Sequence, residues 1–203
     1  AAVGALTYKL LLSGEAANSA DARVRNIAKS MGLFGDQSDA VAERLNNLAD
    51  KIELQTGMDG NAIQITQAKL HTFKELANTA DELGGNFDRA TQAAVDMAAA
   101  GFGAAEQNAV QLGKALNDPI NGLAALRKSG ITFTEEEQAK IKTLAESNRM
   151  HEAQALVLAA IEKQVGGTAA ATADASVQIK AALNQGFEEV GKPLAEALAS
   201  ITP

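Results

Sequence analysis

Apolar residues recur along this chain at steps of three and four, the spacing that places them on one side of a helix. Val41, Leu45, Leu48 and Ile52 form the first clear stripe. Ser38 stands before it as the expected N-cap, with Asp39 in the first turn and Gly57 where the helix should end. Asp59-Gly60-Asn61 reads as a turn, and Ile63, Gln67, Leu70, Phe73 and Leu76 predict the next helix, stopped at Gly84-Gly85. Shorter helices follow, over about 88–100 and 105–116. Asp118 and Pro119 suit the N-cap and first turn of another, which Gly130 ends. Thr134-Glu135-Glu136-Glu137 is a capping box that opens a helix through Ile141 and Leu144. A turn at Ser147-Asn148 leads to a helix with Ala153, Leu156, Val157 and Ile161, stopped at Gly166-Gly167. From about Ala170, the residues Val177, Ile179, Leu183, Phe187 and Val190 predict a last helical stretch that Gly191-Lys192-Pro193 bends or breaks.

No stretch alternates as a strand does, so the expected fold class is all-α. Three parts are expected. Residues 1–85 carry longer helices, 86–167 form a compact short-helix module, and 168–203 form a C-terminal helical segment. Heptads are nowhere sustained, which argues against a continuous coiled coil.

Composition sharpens this picture. Of the 203 residues, 46% are hydrophobic but only 3% aromatic, so the core must be built from Ala, Leu, Ile and Val. Such a core buries little area per residue, and help from self-association is expected. The net charge of −7 disfavours a specific nucleic-acid site. Neighbouring opposite charges such as Glu43-Arg44, Asp50-Lys51 and Asp88-Arg89 read as solvated helix faces. There is no cysteine, which removes disulfides and thiolate metal sites. No apolar run approaches the roughly 20 residues of a membrane span. The chain starts without Met and stops at Pro203 just past an amphipathic stretch, as a piece of a longer protein would.

Candidate chemistry is sparse. His71 and His151, the only histidines, lie on different predicted helices without ligand spacing, and His71 reads as a helix-surface residue. Gly101-Phe102-Gly103-Ala104 lacks the strand and the Lys-Ser/Thr of a phosphate loop. Ser13-Gly14 and Ser129-Gly130 have no His-acid partner in view. The expectation is no catalytic, cofactor-binding or metal-binding residue.

One stretch carries more information. Gln111-Leu112-Gly113-Lys114-Ala115-Leu116-Asn117-Asp118-Pro119 continues through Ile120, Asn121, Gly122, Leu123, Ala125, Leu126 and Arg127 to Gly130-Ile131-Thr132-Phe133-Thr134. Gln138, Ile141-Lys142, Leu144, Ala153-Gln154, Leu158, Ile161-Glu162 and Gly166-Gly167 follow in order. This sequence resembles the central region of tail tape measure proteins of tailed phages. Thr56-Gly57, Gln67 to Leu70 and Ala94 to Ala98 also fit, so that the resemblance covers about residues 50–174. Asn148 departs from it, standing in a turn where Gly is usual. Asn tolerates the left-handed backbone that such a turn needs. The first 49 residues match only loosely.

The resemblance implies a long, helical, non-enzymatic virion protein that sets tail length. Such a protein fills the tail tube and leaves during genome ejection. Its implied partners are copies of itself (a trimer or another homo-oligomer), tail-tube and tail-tip proteins, and tail assembly chaperones, with membrane contact at infection. Its implied locations are the tail lumen or tip and, during assembly, the host cytoplasm. The structural signature comprises Asn117, Asp118, Pro119, Gly122, Leu126, Gly130, Thr132, Phe133, Thr134, Gln154, Gly166 and Gly167. A ruler extends about 1.5 Å per residue of unbroken helix. Residues 86–167 are punctuated too often for that, and are expected to fold as a module at one point along the ruler. The competing reading is a generic helical interaction or membrane-active module of a virion or bacterial surface protein.

Overall fold

A computed structural model describes residues 34–173 continuously, together with positions 22, 25, 26, 29, 183, 186, 189 and 193. The described part is all-α, with no strand among the described residues. A 3-10 turn at Gly35–Gln37 leads into α1 (Ser38–Thr56), α2 (Gly60–His71), α3 (Lys74–Ala77), α4 (Asn86–Ala99), α5 (Ala105–Asn117), α6 (Pro119–Lys128), α7 (Glu135–Glu146), α8 (Met150–Val165) and α9 (Thr168–Thr172).

Several boundaries follow local chemistry as expected. Gly57 ends α1 at φ 68°, the left-handed conformation that glycine adopts without a Cβ penalty. Asn148 adopts φ 58° between α7 and α8, the one non-glycine residue with positive φ among those described. Three details differ. Ser38 is the first residue of α1 instead of its cap, and its hydroxyl donates to the Gly35 carbonyl at 2.7 Å. Asp59 is not mid-turn. It caps α2 directly, its carboxylate accepting from the Ala62 N–H at 3.1 Å. The helix predicted to run from Ile63 to Gly84 stops at His71, because Phe73 is extended (φ −99°, ψ 101°). That conformation lays the Phe73 ring against Gly113 of α5, where any Cβ would collide with it. A contact forty residues away thus overrides helical periodicity.

The core does not divide at residue 85. One apolar cluster joins Val41, Leu45, Leu70 and Leu76 to Phe87, Met97, Leu112, Leu126, Ile141, Val157 and Ile161. Helix α2 packs on α4 and α5, so the longer N-terminal helices belong to the same bundle as the short ones. A smaller cluster of Ala49, Ile52, Ile63, Val95, Ala105 and Ala169 closes one end. Ala169 brings α9 into the bundle as well, so residue 168 is no boundary of the core. The C-terminal stretch with Val177, Ile179, Phe187 and Val190 lies outside the described residues. Leu183 within it is 60% exposed. Many buried positions are alanines, including Ala42, Ala90, Ala94, Ala109 and Ala115. They let helices approach closely with few aromatic rings.

Candidate functional site

The signature begins where α5 hands over to α6. Asn117 is the last residue of α5, and its side-chain oxygen accepts from the Glu75 N–H of α3 at 3.2 Å. Asp118 caps α6: one carboxylate oxygen accepts from the Asn121 N–H at 3.2 Å and the other from the Asn121 amide at 2.8 Å. Pro119 is the first residue of α6, a position with no N–H to lose. Gly122 lets α6 cross α5, since a Cβ there would lie 2.5 Å from the Ala115 Cα and the Lys114 carbonyl oxygen. Phe73, Lys114, Asn117, Asp118, Asn121, Gly122 and Ala125 line a shallow cleft at this crossing. Leu126 is fully buried in the core.

The chain then turns at Gly130, at φ 99° and against the Phe102 ring. Thr132 is held by α8. The Gln164 side-chain oxygen accepts from the Thr132 N–H and hydroxyl, each at 2.9 Å, and the Gln164 amide donates back to the Thr132 carbonyl at 2.8 Å. Phe133 is buried, and Thr134 forms the expected capping box. Its hydroxyl accepts from the Glu137 N–H at 3.1 Å, and the Glu137 carboxylate accepts from the Thr134 N–H at 2.8 Å.

The later signature residues brace α8 and its exit. Gln154 is fully buried. Its amide donates to the Leu116 carbonyl at 3.0 Å, and its oxygen accepts from Asn86 at 3.1 Å, so one side chain ties α8 to α5 and α4. At Gly166 a Cβ would lie 2.5 Å from the Glu162 carbonyl oxygen, and Gly167 sits at φ 77°. The carboxylate of Asp96 on α4 accepts from the N–H groups of Gly167 (3.1 Å) and Ala169 (2.9 Å).

These residues do not converge on one pocket. Most of them serve backbone geometry at or near helix junctions, while Leu126 and Phe133 pack in the apolar core and Gln154 pairs buried polar groups. Among the described residues, no group of three or more His, Asp or Glu side chains could hold a metal ion. No described helix is long and apolar enough to cross a membrane.

Three positions escaped the sequence reading. His71 is not on the surface: it is 1% exposed, with the Phe34 ring 5.9 Å away and the Phe87 ring 5.5 Å away edge-on. Burial pulls its pKa below the usual histidine value. Arg44 and Asp88 are not separate solvated charges. The guanidinium is 2.9 Å from both carboxylate oxygens of Asp88, and the same Arg44 donates to the Ala80 carbonyl at 2.9 Å. Asp88 also accepts from the Gly84 N–H at 2.8 Å. Buried position is the signal in each case, and it depends on residues far apart in the chain. No protein-family model, curated protein or solved structure matches this chain.

Proposed function

We propose that this chain is a segment of a tail tape measure protein, a non-enzymatic component of a phage tail, and that residues 34–173 are a folded module within it. The observation that carries the reading is the ordered run from Gln111 to Thr134, continued by Gln154 and Gly166-Gly167. Every one of its quoted signature positions serves folding geometry, as a structural protein's motif would. Its partners in this reading are copies of itself, tail-tube and tail-tip proteins and assembly chaperones. Its place is the tail lumen or tip.

Length arithmetic separates the module from a ruler. As one unbroken helix, about 140 residues would span about 210 Å. Folded back as a bundle, they add a radius of gyration of about 14 Å. An insertion of about 20 helix-forming residues between Gly103 and Ala104, both exposed, should therefore leave tail length unchanged in electron micrographs. A tail about 30 Å longer would mean that this region is ruler. Mass spectrometry of purified particles should find the chain in virions. Particles without it would end the tape measure reading altogether.

A further inference from the structure

We propose that the turn 81–84 of one copy of this chain seats in the groove between α1 and α4 of a second copy, and the second copy's turn in the first, as a two-fold pair. The groove has a volume of about 550 Å³. Leu48, half-buried, and Ile52 give it an apolar wall on α1, and Asp88, Arg89 and Gln92 form its α4 side. Leu83 stands on its lip. At 89% exposed, Leu83 makes almost no contact with its own chain and leaves that wall open. An apolar wall beside a fully presented leucine marks an interaction surface.

The turn is built to hold Leu83 out. The Glu82 N–H donates to the Thr79 carbonyl at 3.2 Å, and the Gly85 N–H to the Glu82 carbonyl at 3.1 Å. The Gly84 N–H donates to the Asp88 carboxylate at 2.8 Å, which ties the tip of the turn to α4. A leucine presented on a hydrogen-bonded turn has little freedom left to lose on docking.

Charge selects the occupant. Two cations of the groove are already neutralised, Arg44 by Asp88 and Arg89 by Glu162. Lys51, on the rim, is exposed and joins no ion pair among the described residues. Asp81 and Glu82, just before Leu83 in the chain, are exposed and join none either. One surface thus carries an apolar knob with two unpaired carboxylates beside an apolar socket with an unpaired ammonium. A two-fold axis through such a surface brings each knob to the other copy's socket, so Asp81 and Glu82 meet the second copy's Lys51 at both contacts. The net charge of −7 opposes approach and the patch is small, so the pair is weak and concentration-dependent. It needs only the groove and its lip and does not rest on the tail reading.

Sedimentation equilibrium of the full 203-residue chain tests this. The weight-average mass should rise with concentration from 21.0 kDa toward twice that value and stop there. Leu83→Asp should raise the dissociation constant by about tenfold or more, since a two-fold pair loses the leucine twice. Lys51→Glu should also weaken the pair, and so should Asp81→Lys combined with Glu82→Lys, because like charges then face each other at both contacts. Mixed in equal amounts, these two charge variants should associate as the unaltered chain does. A mixed pair sets the introduced glutamate against the introduced lysines at one contact and keeps the native charges at the other. A chain that stays monomeric, as it would if an acidic peptide of another protein filled the groove, overturns the proposal. So does association that survives Leu83→Asp, that runs on past the dimer, or that the mixture fails to restore.

Discussion

An imidazole between two phenylalanine rings, with neither ring nitrogen hydrogen-bonded, is stable in one charge state only. His71 is in that position. On the helices packed against α2, Arg44 is engaged with Asp88, Arg89 with Glu162, and Asp96 with the start of α9. The folded state therefore holds His71 neutral, with its pKa below 6.5, while the unfolded chain takes up its proton at the ordinary value. The unfolded state binds more protons in that window. His71's contribution to stability is thus complete above pH 6.5 and is lost as pH falls below it toward the folded pKa. Urea midpoints should drop from pH 7.5 to pH 5.5, and a His71→Leu variant should show a flatter profile; parallel profiles would refute this. The sequence could not reveal the enclosure, because Leu70 and Thr72 say nothing of Phe34 and Phe87. Gln154 makes the same point for polar groups. Its replacement by leucine would leave the Leu116 carbonyl and Asn86 short of partners, and should cost about 1–3 kcal/mol in chemical denaturation.

Helix ends show which information is local. Caps at Asp118 and Thr134 and the left-handed Asn148 were legible because each depends on residues within one turn. Thr134→Ala removes one half of the capping box and should lower stability by about 1 kcal/mol, with the loss confined to the start of α7 in hydrogen exchange. The break between α2 and α3 was illegible for the opposite reason. Periodicity through Phe73 and Leu76 fits a helix, but Phe73 is drawn out to lie on Gly113. Gly113→Ala puts a methyl group into that ring's seat and should cost about 1–3 kcal/mol. A neutral effect in thermal melts would show that Phe73 can move aside freely.

For the whole molecule, burial joins the two sides of residue 85. Leu45 and Phe87 share one core, and the Arg44–Asp88 pair crosses the same line. Its side chains are only 19% and 7% exposed, so deleting one partner strands a charge in a poorly solvated place. Asp88→Ala should destabilise the protein by about 3 kcal/mol and loosen α1 and α4 together. Unfolding in two separate steps with only the first affected would restore the division. Partnership of Arg44 with Asp88, rather than with its neighbour Glu43, is set by how α1 and α4 pack, which no local pattern encodes. The Asp96 carboxylate has a mechanical consequence. Tension applied to the chain beyond Ala173 reaches α9 first and is borne by the two N–H groups that Asp96 holds. Pulled from that end, the bundle should yield by peeling α9 from α4 while the main core stays shut. Asp96 thus acts as a latch whose failure precedes unravelling of the rest.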